Sequence, residues 1–113
     1  LITCFSNDFG HDKWMEKALE FYAEKKDIII LISTSGKSKN VMEGLKMAKK
    51  KKMKCIIFTG KNSKVFVKNC DEIISIPASN TSRIQEMHIM IGQMLCNSIE
   101  KKLNLAPFVK EET

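Results

Sequence analysis

The segment Ile28-Ile29-Ile30-Leu31-Ile32-Ser33-Thr34-Ser35-Gly36-Lys37-Ser38 decides the fold. Its apolar part runs without alternation, which predicts a strand over 27–33 covered on both faces, the habit of parallel sheets. It is the longest apolar run in the chain and far too short to cross a bilayer. A hydroxyl-rich loop follows, and then Val41, Met42, Leu45 and Ala48 recur at helical spacing. The junction between a buried strand and a helix suits an anion, because the first-turn N–H groups are unpaired and the helix dipole adds positive potential. Ser33, Thr34, Ser35 and Ser38 each bring a hydroxyl that can donate to a phosphate oxygen, and Gly36 lets the backbone come close. Helix capping alone would explain one of these serines but not the set. Gly36-Lys37-Ser38 imitates the end of a Walker A loop, yet Leu31 stands where that motif needs its first glycine, which excludes a nucleotide triphosphatase of that kind.

On either side of this junction, strand and helix signals alternate. Leu1-Ile2-Thr3-Cys4-Phe5 reads as a strand and Asn7-Asp8-Phe9-Gly10 as a turn. A helix then starts near Asp12 as N-cap, with Trp14, Ala18, Phe21 and Tyr22 on its inner face. Downstream come a strand over 55–59 ending at Gly60, a short helical turn within 63–68, and a strand over 72–76 stopped by Pro77. A long helix runs from about Ser82 to Leu103, with Ile84, Met87, His88, Ile91, Leu95 and Ile99 as its apolar stripe. Residues 106–113 read as a frayed tail, so the domain is set at 1–105. The pattern predicts an α/β fold, a parallel sheet flanked by helices, with ligands outside the carboxyl ends of the strands. Because the chain opens on a strand rather than a methionine, further residues are expected upstream.

The 113 residues suffice for one domain, and 43% hydrophobic with 28% charged residues is an ordinary soluble composition. Nothing resembles a signal peptide or a membrane span. Cys4, Cys55, Cys70 and Cys96 form no CxxC pair, so they read as buried, reduced thiols of a cytoplasmic protein. Part of the net charge of +6 sits in Lys49-Lys50-Lys51-Lys52 and Lys54. Without interleaved arginine or aromatic residues this run reads as a solvated helix end that complements the dipole, not as a nucleic-acid surface.

The loop 32–41 resembles the phosphate loop of the phosphoheptose (sedoheptulose 7-phosphate) isomerases of the sugar isomerase (SIS) superfamily. Three further segments resemble that family in the same order: Asn7-Asp8-Phe9-Gly10, its first sugar-contacting turn; Phe58-Thr59-Gly60-Lys61, its next strand end; and Arg83-Ile84-Gln85-Glu86-Met87-His88-Ile89, the start of its last helix. The resemblance implies a flavodoxin-like SIS fold, N-terminally incomplete here, in a dimer or tetramer with sites between subunits. It implies interconversion of sedoheptulose 7-phosphate and heptose 7-phosphate, early in the making of bacterial surface heptose. Phosphate contacts would fall on Ser33, Thr34, Ser35 and Ser38, and sugar contacts on Asp8 and Gln85. The family's catalytic glutamate would lie upstream of this chain. Its catalytic histidine falls at Gln93, and its sugar-contacting aspartate at Ser82.

Those departures leave two readings. One is an aldose–ketose isomerase. The other is a non-catalytic SIS module that binds a phosphosugar or a protein, similar in kind to the replication-initiator-associating proteins. Glutamine has no titratable proton, so Gln93 can orient a substrate but not transfer a proton. His88 falls on the apolar stripe and reads as a structural residue. Gln85 has a second explanation in a capping box with Ser82, and Asp8 in simple turn formation. Some relatives hold zinc through positions that include the one matching Gln85. With Gln93 a poor ligand, no cofactor is expected here.

Overall fold

The computed structural model describes the backbone of residues 2–66 and 68–105, and the side chains of these except residues 2–5 and 65. Three parallel strands form one sheet: β1 (Ile28–Ser33), β2 (Lys54–Thr59) and β3 (Glu72–Ser75), in the order β1-β2-β3. Ile28 pairs with Lys54 and Ser33 with Thr59, while Ile56 pairs with Glu72 and Thr59 with Ser75. The carboxyl ends of all three strands therefore lie along one edge. The helices are α1 (Ile2–Phe9), α2 (Trp14–Tyr22), α3 (Lys39–Lys50) and α4 (Thr81–Leu103), with single 3₁₀ turns at His11–Lys13 and Lys64–Phe66. The parallel sheet with flanking helices and the short turn after β2 agree with the sequence reading. The expected tail, 106–113, lies outside the described residues.

One face of the sheet packs against α3. Leu31, Cys55 and Ile57 meet Val41, Leu45 and Phe66 in a single buried cluster, with Met15, Met42 and Ile73 at its margin. Val41, Leu45 and Ala48 are nearly inaccessible, as their spacing predicts. Gly44 is buried in the same helix, where a Cβ would already be in ordinary contact with Met15 and Leu19 of α2 and with Leu31 of β1. On the other sheet face, α4 lies over Phe58, which is 1% exposed, with the His88 ring centroid 5.6 Å from its own.

Several expectations change. Residues 2–5 are helical, not a strand: a five-residue apolar run carries no period, β propensity yields to context, and no strand among the described residues lies beside this segment to pair with it. The helix ends where the Gly10 amide donates to the Ser6 carbonyl oxygen at 3.0 Å, so Asn7, Asp8 and Phe9 belong to its last turn. Asp12 lies inside a 3₁₀ turn, and α2 begins after Lys13 without a side-chain cap. The inner face of α2 is built from Met15 and Leu19, whereas Phe21 and Tyr22 are exposed. β1 alternates in burial. Leu31 and Ser33 are buried, while Ile28, Ile30 and Ile32 are 63%, 43% and 53% exposed, because α4 covers β2 and leaves this face of β1 open. Met87 and Ile99 of the expected α4 stripe are also exposed.

The lysine run does more than face solvent. Lys51 is the C-cap residue of α3, and its ammonium donates to the carbonyl oxygens of Leu19 at 2.8 Å, Glu20 at 3.0 Å and Ala23. A cation thus sits on the exposed carbonyls at the end of α2, where the dipole is negative.

Candidate functional site

The loop after β1 is organised by its own hydrogen bonds. Ser33 is 4% exposed, and its Oγ accepts from the Gly36 amide at 3.1 Å, which also reaches the Ser33 carbonyl oxygen at 3.3 Å. Ser35 Oγ accepts from the Lys37 amide at 3.1 Å. Gly36 has φ +70, a conformation that glycine adopts without steric cost. The Gly36 and Lys37 amides are therefore engaged inside the loop. Serine hydroxyls next to free amides close such turns locally before any ligand competes. The hydroxyl protons of Thr34, Ser35 and Ser38 keep their donor capacity, since an oxygen that accepts can still donate. Ser38 is the N-cap of α3, but its side chain makes no cap bond, so it does not consume the first-turn amides.

A second layer fixes the loop. The Asn62 amide nitrogen donates to the Ser35 carbonyl oxygen at 3.3 Å, and the Asn62 carbonyl oxygen lies so close to Gly36 that a Cβ there would overlap it. A Cβ on Gly60 would approach the Thr34 carbonyl oxygen at 2.8 Å and Ile84 at 2.9 Å. Lys61 Nζ donates to Ser79 Oγ at 3.0 Å. Thr34, Ser35, Lys61, Asn62, Ser79 and Thr81 thereby enclose a polar cavity of about 120 Å³ at the carboxyl edge. The sequence reading missed Asn62, although its place just beyond a strand end was a usable signal.

Thr34 also lines a larger groove of about 710 Å³ between β1 and α4. Gln85, His88 and Gln93 line it too, with Ile30, Ile32 and Phe58 as its floor. The structure thus brings Thr34, Gln85 and Gln93 to one groove. Asp8 is exposed near the end of α1 and does not line it. The 3₁₀ turn that follows α1 is tied to the start of α3 by Lys39 Nζ and Asp12 Oδ2 at 3.5 Å. A recess of about 790 Å³ at the opposite edge, lined by residues 24–28, Lys52 and Lys54, lies away from the loop and its hydroxyls.

His88 is 3% exposed. Its Nε2 lies 3.0 Å from the Thr59 carbonyl oxygen, which can only accept, so Nε2 carries the proton. The same carbonyl oxygen accepts the Ile76 amide at 3.0 Å. His88 thus pins α4 to the end of β2, the structural role its position implied. The capping box does not form: Asn80 is the N-cap of α4, its Oδ1 accepting from the Ser82 amide at 2.9 Å and the Arg83 amide at 3.3 Å. Gln85 is therefore not engaged with Ser82 as a cap and faces the groove. The pattern Ser79-Asn80-Thr81 ahead of an apolar run was the signal for this cap.

The thiols divide. Cys55 is buried in the core, and burial, followed by Cys70 and Asp71, pushes its pKa from 9.0 to about 12. Burial also raises Cys70, whose thiol donates to the Phe66 carbonyl oxygen at 3.2 Å. Cys96, expected to be buried, is exposed on α4 at the rim of the groove. The Cys4 side chain lies outside the described set. For zinc, the donors available here fit poorly. Gln85 and Gln93 are neutral carboxamides, His88 Nε2 is committed to Thr59, and no cluster of three His, Cys, Asp or Glu side chains occurs among the described residues.

No helix among the described residues is long and apolar enough to cross a membrane. The chain is 43% identical over 100 residues to a phosphoheptose isomerase of a Nitratiruptor species, covering 88% of this chain and 54% of that protein. It is 41% identical over 100 residues to phosphoheptose isomerase 1 of Campylobacter jejuni, with the same coverage. The fold superposes on phosphoheptose isomerase GmhA from Neisseria gonorrhoeae with a TM-score of 0.79 at 34% identity, covering 87% of this chain and 56% of that one. A phosphoheptose isomerase from Francisella tularensis gives a TM-score of 0.79 at 29% identity, covering 88% and 54%. The chain thus spans about half the length of the relatives it matches. The SIS domain model matches residues 15–105, from the start of α2 through the loop and sheet to the end of α4, and the chain belongs to the SIS domain family.

Proposed function

We propose that this protein binds a phosphorylated sugar at the β1–α3 loop and works as an aldose–ketose isomerase of the phosphoheptose isomerase kind. The observation that carries the reading is the opening of Thr34, from the hydroxyl loop, onto the same groove as Gln85. In this reading Thr34, Ser35 and Ser38 donate to the phosphate, Ser33 sets the loop's shape, and Gln85 contacts the sugar from the groove wall, whereas Asp8, outside that groove, makes no sugar contact in it. The identities of 43% and 41% to phosphoheptose isomerases support sedoheptulose 7-phosphate as the substrate. A role in supplying heptose for lipopolysaccharide or capsule is part of the same proposal.

Isomerisation moves a proton between neighbouring carbons through an enediolate and needs a titrating base. Gln93 does not supply one, and His88 is buried with Nε2 committed. The free thiols Cys55, Cys70 and Cys96 support a reducing, cytoplasmic setting. Exposed apolar residues on β1 and α4, among them Ile32 and Met94, support a homo-oligomer.

Gln93 also favours a second reading, a non-catalytic module that binds the phosphosugar without turning it over. Steady-state turnover of sedoheptulose 7-phosphate by the full-length protein, beside Gln93→His, separates the two. Turnover by the wild type supports the isomerase. An inert wild type with activity restored in Gln93→His supports the binding module.

A further inference from the structure

We infer that α4 contributes no ligand to a divalent metal, and that the phosphosugar is held without one. The inference rests on the phosphosugar reading above and concerns the groove that Gln85 and Gln93 share. Zinc is held chiefly by thiolate, imidazole nitrogen or carboxylate, and a carboxamide oxygen adds to such a set without replacing it. Along the groove wall α4 offers instead two neutral carboxamides, one imidazole and one thiol.

The imidazole is not free to serve. His88 Nε2–H is spent on the Thr59 carbonyl oxygen, and Nδ1 is enclosed in the protein, with no hydrogen-bond partner and no solvent contact. Using either nitrogen would require His88 to leave the contact that seats α4 on β2. The Cys96 thiol stands on the rim of the groove, and no group of three His, Cys, Asp or Glu side chains forms among the described residues. Gln93 is exposed on the helix, so its replacement asks nothing of the core. A histidine there would be the one groove-facing imidazole not already committed to the fold. Gln93 is thus the residue that decides metal binding on this wall: its carboxamide can hydrogen-bond a sugar hydroxyl as donor or acceptor at any pH, with no metal to orient it.

The test is a calorimetric titration of zinc into the full-length protein, wild type and Gln93→His, with sedoheptulose 7-phosphate titrated separately with and without a chelator. The wild type is expected to show no zinc binding and a sugar affinity that the chelator leaves within about twofold. Gln93→His is expected to show measurable zinc binding, roughly tenfold or more tighter than the weakest affinity the titration detects. Stoichiometric zinc binding by the wild type that Gln85→Ala or Gln93→Ala weakens would overturn the inference, as would Gln93→His with no gain. Absence of sugar binding in both proteins would sink the phosphosugar reading instead, and the zinc titration would still decide the metal question.

Discussion

The Gly36 amide donates to the Ser33 hydroxyl oxygen at 3.1 Å, and this bond turns the chain from the end of β1 toward α3. Ser33 therefore shapes the loop from inside, while Thr34, Ser35 and Ser38 present hydroxyls. The geometry works only because Gly36 takes φ +70 against the backbone carbonyl of Asn62.

Gly36→Ala should consequently destabilise the protein by about 2 kcal/mol or more, from the left-handed backbone and the overlap with Asn62 together. Gly92, in the interior of α4, is the control, because a Cβ there meets nothing within 4 Å. Gly92→Ala should stabilise by about 0.5–1 kcal/mol. Chemical denaturation of the two variants checks both signs. Equal effects would contradict the assigned role of Gly36.

Lys51 and Lys50 are neighbours in one basic run, yet only Lys51 reaches the carbonyl oxygens at the end of α2. Lys51→Met should cost about 1–2 kcal/mol, in the range of hydrogen bonds from a charged donor. Lys50→Ala, at an exposed site, should stay within about 0.5 kcal/mol. Thermal melts of both variants separate a capping lysine from a solvated one.

Cys55 supplies a pH dependence with a definite sign. Burial raises its pKa to about 12, so between about pH 9 and 12 the folded chain holds a proton that the unfolded chain has released. Its contribution to stability is complete below pH 9 and is lost as pH rises toward 12, and Cys70 acts in the same direction. At neutral pH an alkylating reagent should modify Cys96 rapidly and Cys55 only after unfolding, as peptide mass spectrometry would show.

Much of this architecture was legible in the residues. β1, β2, β3 and α3 follow from unbroken or periodic apolar runs, because such runs must be buried somewhere. The hydroxyl loop was legible as a place, since strand ends and helix starts coincide there. Its internal bonding was not, because Ser33 and Ser35 satisfy the Gly36 and Lys37 amides through geometry that composition does not encode. The helix at 2–9 was misread because a five-residue, largely apolar segment carries no period of its own. The open face of Ile28, Ile30 and Ile32 escaped because a continuous apolar strand implies cover on both sides, and what supplies that cover is a tertiary matter. Asn62 and Asn80 were overlooked although both occupy turn positions where asparagine acts through its side chain.

The most direct test of the phosphate cradle is calorimetric binding of sedoheptulose 7-phosphate to the full-length protein and to its Ser35→Ala/Ser38→Ala variant, with thermal stability recorded for both. The account predicts measurable binding by the wild type and a loss of about tenfold or more in the variant, the scale of one or two hydrogen bonds to a charged group, with folding preserved. Unchanged affinity in a folded variant would contradict it.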